Sequence, residues 1–158
     1  MRLVAVNGAD SATSKTRALV AAAVDEIIDL CELPADGLLG RTPDDAVSDA
    51  VARASSADVL VVATPVYRAT YTGAVKAFFD RFPPHALADT AVVLVATAMI
   101  RDHFLALDTG GRALIASLDG LTVPKVVYAT HDDFADGEPS EAIVAEHRAA
   151  IAQAEQIK

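Results

Sequence analysis

The chain has 158 residues, of which 53% are hydrophobic and 22% are charged, and its formal net charge at pH 7 is -9. This size and composition predict one folded domain over residues 1–158 and exclude a disordered chain. The acidic balance argues against a broad surface for nucleic acid or anionic lipid, because phosphate groups would be repelled.

Short apolar runs alternate with amphipathic helical patterns along the whole chain. The runs predict strands at residues 2–6, 27–33, 59–63, 90–97 and 123–129. The patterns predict helices at residues 15–23, 44–56, 74–82, 102–118 and 140–156, with loops at 36–43 and 132–139. This alternation predicts an α/β fold, namely a flavodoxin-like, doubly wound five-stranded parallel sheet of order 2-1-3-4-5 with helices on both faces. Gly110-Gly111 predicts a bend in the fourth helix.

The loop between the first strand and the first helix is rich in hydroxyl groups. They belong to Ser11, Thr13, Ser14 and Thr16, with Lys15 and Arg17 beside them. Such a loop in an α/β protein suits a phosphate, which hydroxyls and unpaired N–H groups can bind. Neither a Rossmann glycine motif nor a P-loop motif is present, so a single terminal phosphate is favoured. The alternative is that Ser14 only caps the helix.

The loop after the third strand is the second candidate for a binding site. Thr64-Pro65 ends the strand, since proline cannot donate a hydrogen bond to a sheet, and Tyr67 and Tyr71 follow. In a sheet of order 2-1-3-4-5 the loops after strands one and three flank the switch point, where ligands bind. The two loops therefore predict one shared cleft. The tyrosines could alternatively be packing residues in a dimer interface.

Several other side chains have simple structural interpretations. Cys31 stands among apolar neighbours and predicts a buried structural thiol. The scattered histidines at 85, 103, 131 and 147 predict no metal site, and His131-Asp132-Asp133 is interpreted as an acidic turn. Phe78, Phe79 and Phe82 predict a wide apolar helix surface, in the core or in the interface of a homodimer or homotetramer. No stretch approaches the roughly 20 apolar residues of a membrane span, so a cytoplasmic location is expected.

Residues Ala63 to Lys76, ATPVYRATYTGAVK, resemble the long motif of the NADPH-dependent FMN reductases. The resemblance is greatest to those that supply reduced flavin to two-component monooxygenases, such as the alkanesulfonate type. The Ser-Lys-Thr start of the first helix and Ala96-Thr97 at the end of the fourth strand occur in the expected order. The resemblance implies an oxidoreductase that passes a hydride from NADPH or NADH to N5 of FMN, with no catalytic side chain and no metal. It also implies a flavin-dependent monooxygenase as a partner.

The resemblance implies cofactor-binding residues as well. The FMN phosphate is expected at Ser14, Thr16 and Arg17, together with Ser11. The isoalloxazine ring is expected against the backbone amides and side chains of Thr64, Pro65, Val66 and Tyr67, and its other margin against Thr97, Ala98 and Met99. Two alternatives stay open. One is a non-catalytic flavin carrier or interaction subunit with a closed pocket, and the other is an unrelated nucleotide- or phosphosugar-binding module.

Overall fold

A computed structural model describes residues 1–158 and contains one parallel sheet. Its strands are β1 Leu3–Asn7, β2 Ile27–Asp29, β3 Val59–Pro65, β4 Ala91–Thr97, β5 Leu121–Thr122 and β6 Val127–Ala129. The order is β2-β1-β3-β4-β5, and β6 also pairs with β4. A separate two-stranded hairpin is formed by β7 Phe134–Ala135 and β8 Glu138–Pro139. The predicted strand order is confirmed.

Helices cover both faces of the sheet. They are α1 Lys15–Ala21, α2 Ala35–Leu38, α3 Asp45–Ser55, α4 Gly73–Phe79, α5 Arg112–Ala116 and α6 Glu141–Gln156. Successive residues of a strand point to opposite faces, so each inner strand contributes side chains to two hydrophobic cores, one on each face of the sheet. Leu60 and Val62 of β3 pack on the face covered by α3 and α4, whereas Val59 and Val61 pack on the face covered by α1 and α6. No helix is both long enough and apolar enough to cross a membrane.

Several predicted elements are wrong in detail. The strand predicted at 27–33 ends at Asp29 and a 3-10 turn follows it, and the loop predicted at 132–139 contains the end of a 3-10 turn and the β7–β8 hairpin. Of the strand predicted at 123–129, only Val127–Ala129 forms a strand, β6. The short strand β5 precedes it at Leu121–Thr122, and Pro124 lies between the two and cannot donate to the ladder. The Arg112 guanidinium bridges this break by donating to the Val123 carbonyl at 2.8 Å. The predicted helix at 102–118 is a 3-10 turn, a π-helical turn over Leu107–Gly111 and then α5. The predicted loop at 36–43 begins with the end of α2.

Two predictions about side-chain environment are resolved by packing. Phe78, Phe79 and Phe82 are all buried in the single chain, with ring centroids 4.9 to 5.6 Å apart. They are core residues, so they present no surface to a second subunit. Cys31 is exposed rather than buried, because β2 ends at Asp29 and the following 3-10 turn directs Leu30 inward instead. Partial desolvation and the carboxylates of Asp29 and Glu32 raise the pKa of the Cys31 thiol.

Candidate functional site

A cavity of about 320 Å³ opens at the carboxyl edge of the sheet, where the loops after β1, β3, β4 and β6 meet. This volume is at the lower end of the range of small-molecule sites. The predicted site residues that line it are Ser14, Thr16, Pro65, Val66, Tyr67, Thr97, Ala98 and Met99. Five residues outside the predicted site set also line it, and they are Ala9, Asp10, Lys15, His131 and Phe134.

The loops after β1 and β3 are fastened to each other directly. The Gly8 amide donates to the Ala63 carbonyl at 2.8 Å, and the Thr72 hydroxyl donates to the Gly8 carbonyl at 2.7 Å. A Cβ at position 8 would lie 2.2 Å from the Val75 side chain, so only glycine allows this close approach. The two loops therefore lie next to each other, as the sequence predicted.

A buried hydroxyl pair joins α1 to the end of β4. The Oγ1 atoms of Thr16 and Thr97 are 2.6 Å apart, and both residues are almost fully buried. Each hydroxyl has one hydrogen, and their shared bond uses only one of the two. One O–H group of the pair is therefore not used in this bond.

Ser14 both caps α1 and lines the cavity. Its Oγ accepts a hydrogen bond from the Arg17 amide at 3.1 Å, as the capping interpretation predicted. Accepting that bond leaves the hydroxyl hydrogen of Ser14 free to donate. The capping role and a role toward a ligand are thus compatible.

Arg17, Ser11 and Thr64 are predicted site residues that do not line the cavity. Arg17 Nε lies 3.1 Å from Oδ2 of Asp29, on the neighbouring strand β2, and this ion pair directs the guanidinium away from the cavity. Ser11 is exposed and bonds to Thr13 within its own loop. Thr64 is fully buried and accepts from the Thr72 amide at 3.1 Å, so it shapes the loop from behind.

The loop after β6 brings in two residues that sequence reasoning missed. His131 Nδ1 lies 2.7 Å from Lys15 Nζ, and the Phe134 ring lies 5.4 Å from the same nitrogen, within cation–π distance. The Asp133 carboxylate is used internally, since it accepts from the Thr130 amide at 2.6 Å in a capping box. The position of this loop directly after the last strand was the available signal, because all such loops share one edge.

The segment after β3 forms a tight turn at the lip of the cavity. Tyr67 and Thr70 exchange two backbone hydrogen bonds, of 3.0 and 3.2 Å, around Arg68 and Ala69. The φ angles of Arg68 and Ala69 are 52° and 62°, which defines a type I′ turn made without glycine. The sequence predicts that backbone amides of this loop contact the ring. In the structure the amides of Val66, Tyr67 and Ala98 all donate within the protein, so they are not free to donate to a ligand.

The opposite lip is formed by the loop after β4. Met99 is 73% exposed, so its side chain lies at the rim and does not fill the cavity. Ile100, Phe104 and Leu105 are each more than half exposed nearby along the chain. The Tyr128 hydroxyl anchors the loop by donating to the Ile100 carbonyl at 2.9 Å, and burial raises the pKa of Tyr128.

The lining of the cavity combines polar and apolar groups. Its polar groups include the Lys15 ammonium, the Asp10 carboxylate and the hydroxyls of Ser14, Thr16 and Thr97. Its apolar surfaces belong to Pro65, Val66, Ala98 and Phe134. The residues present therefore fit a planar apolar ring that carries an anionic group.

Comparison with known proteins gives a consistent result. The sequence profile of the family described as NADPH-dependent FMN reductase matches residues 1–135. The NADH-dependent FMN reductase SfnE of Pseudomonas putida is 37% identical to this chain over 158 residues, which covers 92% of this chain and 85% of that protein. The FMN reductase (NADPH) of Pseudomonas aeruginosa is 36% identical, covering 84% of this chain and 78% of that protein.

Solved structures with the same fold include two at more than 30% identity. The apo form of the NADH:FMN oxidoreductase EmoB superposes with a TM-score of 0.82 at 32% identity, covering 96% of this chain and 87% of that one. An oxidoreductase from Corynebacterium diphtheriae has a TM-score of 0.75 at 33% identity, covering 98% and 92%.

Proposed function

The chain belongs to the NADPH-dependent FMN reductase family, and we propose that its cavity binds FMN for reduction by NADH or NADPH. Family membership makes the chain an oxidoreductase that uses FMN and a nicotinamide nucleotide. The observation that carries the proposal is that the loops after β1, β3, β4 and β6 meet at one cavity whose lining combines an ammonium, hydroxyls and apolar surfaces.

The polar lining residues are proposed to hold the phosphate of FMN. Lys15 supplies the positive charge, and Ser14 supplies a free hydroxyl hydrogen. The Thr16–Thr97 pair supplies one more donor. Lys15 thus replaces Arg17 as the proposed cationic residue, because Arg17 is paired with Asp29.

The apolar lining residues are proposed to hold the ring by packing. Pro65 and Val66 form one side, while Ala98 and Phe134 contribute the loops after β4 and β6. The bound FMN supplies a ring that accepts a hydride at N5 from the reduced nicotinamide. The protein contributes orientation and exclusion of water, so this reaction needs no nucleophile or general base from the chain.

A flavin titration tests the proposal. The protein, stripped of flavin, is titrated with FMN and with riboflavin, and oxidation of NADH and NADPH is then followed with FMN present. We expect FMN to bind about tenfold or more tightly than riboflavin, because only FMN carries the phosphate. Absence of flavin binding would refute the proposal, and binding without oxidation of either nucleotide would indicate a flavin carrier instead.

The quaternary structure and the acceptor of reduced flavin stay predictions. A homodimer or homotetramer is supported by the exposed apolar residues that follow β3 and β4 along the chain, which are Tyr67, Met99, Ile100, Phe104 and Leu105. A flavin-dependent monooxygenase partner is supported by the resemblance of the central motif. Light scattering of the purified protein tests the first prediction.

A further inference from the structure

Most lysines and arginines of this protein form an ion pair, but Arg68, Arg81 and Arg101 form neither an ion pair nor a side-chain hydrogen bond. The chain has 13 lysines and arginines against 22 carboxylate residues, so partners are plentiful. Arginines elsewhere use them, as Arg17 does with Asp29 and Arg112 with Asp108. Arg68 is exposed and forms neither an ion pair nor a hydrogen bond. Of these three arginines, Arg68 is the one that directly follows a residue lining the cavity, namely Tyr67.

The backbone conformation of Arg68 is also energetically unfavourable. It occupies the first of the two left-handed residues in the turn between Tyr67 and Thr70, where a non-glycine residue is unfavourable. The cross-turn hydrogen bonds hold this conformation, and the Val66 amide ties its base to the Thr97 carbonyl at 2.8 Å. Non-glycine residues held in such conformations cluster at binding sites. The turn therefore presents Arg68 on a fixed support, one residue beyond Tyr67 of the cavity wall.

The charge of the nucleotide makes a cation at this lip useful. Both nicotinamide nucleotides carry a pyrophosphate and NADPH carries a further 2′-phosphate, whereas the protein has a net charge of -9 and would repel them. Lys15 is already assigned to the phosphate of FMN. A guanidinium matches phosphate oxygens in a two-pronged geometry that an ammonium does not.

We propose that Arg68 binds a phosphate group of the nicotinamide nucleotide. The inference rests on the proposed function, since it needs the nucleotide to approach FMN at this cavity. The phosphate is either the pyrophosphate, shared by both nucleotides, or the 2′-phosphate of NADPH. Arg68 contributes binding and, in the second case, selection between the two nucleotides.

The test measures binding rather than turnover. FMN-saturated protein is titrated by calorimetry with the unreactive oxidised nucleotides, NADP⁺ and NAD⁺. The variants are Arg68→Ala and Arg68→Asn, of which the second keeps a residue type that tolerates the left-handed turn. Arg81→Ala is the matched control, because Arg81 is also exposed and unpaired but lies in a different cleft, beside Gly40.

We expect both Arg68 variants to bind NADP⁺ about tenfold more weakly, with the difference shrinking as ionic strength rises. An equal loss for NAD⁺ assigns the contact to the pyrophosphate, and a loss for NADP⁺ alone assigns it to the 2′-phosphate. FMN affinity should stay unchanged in all variants.

Two results would overturn the inference. One is unchanged affinity for both nucleotides in the Arg68 variants, and the other is an equal loss in Arg81→Ala. Failure of the wild-type protein to bind FMN would instead refute the proposed function, which a separate FMN titration detects.

Discussion

Replacing Lys15 by methionine removes the only lysine or arginine side chain that lines the cavity. A charge-assisted hydrogen bond to phosphate contributes about 1.5–3 kcal/mol when well formed. Lys15 is half-buried and already bonded to His131, so part of this value is offset, and we expect a loss of about 1–2 kcal/mol. That loss corresponds to FMN binding roughly 5- to 30-fold more weakly.

Arg17→Ala is the matched comparison, because it removes the same charge two residues away. Its partner Asp29 is only 8% exposed and keeps its bond from Asn7 Nδ2 at 2.7 Å. We expect this variant to bind FMN normally but to lose about 1–2 kcal/mol of unfolding free energy, because a partly buried carboxylate loses its cation.

The assay combines flavin fluorescence titration with urea unfolding. Riboflavin, which lacks the phosphate, should bind equally to the wild type and to Lys15→Met. The reasoning fails if Arg17→Ala weakens FMN binding as much as Lys15→Met does. It also fails if Lys15→Met weakens the binding of riboflavin and of FMN to the same extent.

Three further changes test the structure itself. Thr97→Val should lower the unfolding free energy measured in urea by about 1–2 kcal/mol, because it leaves the buried Thr16 hydroxyl without its partner. The double variant with Thr16→Val should recover part of that loss. Equal stability of the single variant and the wild type would contradict this prediction. Ala69→Gly should raise the unfolding free energy by up to about 1 kcal/mol, since glycine adopts the left-handed turn without penalty, and a lower melting temperature would count against this. Burial lowers the pKa of His147, whose Nε2 has no partner, so the imidazole stays neutral in the fold while the unfolded chain takes up a proton below about pH 6.5. Stability should therefore be complete above that pH and fall as the pH drops below it, and His147→Leu should flatten this dependence in unfolding measured from pH 7.5 to 5.

Hydrophobic periodicity was sufficient to predict the sheet and its order. The unbroken apolar runs of β3 and β4 mark strands buried on both faces, and the helical patterns between strands require parallel crossovers. From that order alone, the loops after β1 and β3 had to meet at one edge. These features are local in the chain or follow from the topology, so they can be predicted without knowing how the side chains pack.

Which charged side chains pair with each other was decided only by the tertiary structure. Arg17 turns to Asp29, which lies on the neighbouring strand, and Lys15 meets His131, which is 116 residues away in the chain. The burial of Phe78 and the exposure of Cys31 likewise depend on how one element ends and how the next one packs. Periodicity determined which edge of the sheet holds the site, because it depends on residues close together in sequence. Which cation faces the cavity was decided by distances between residues far apart in sequence, which no local pattern contains.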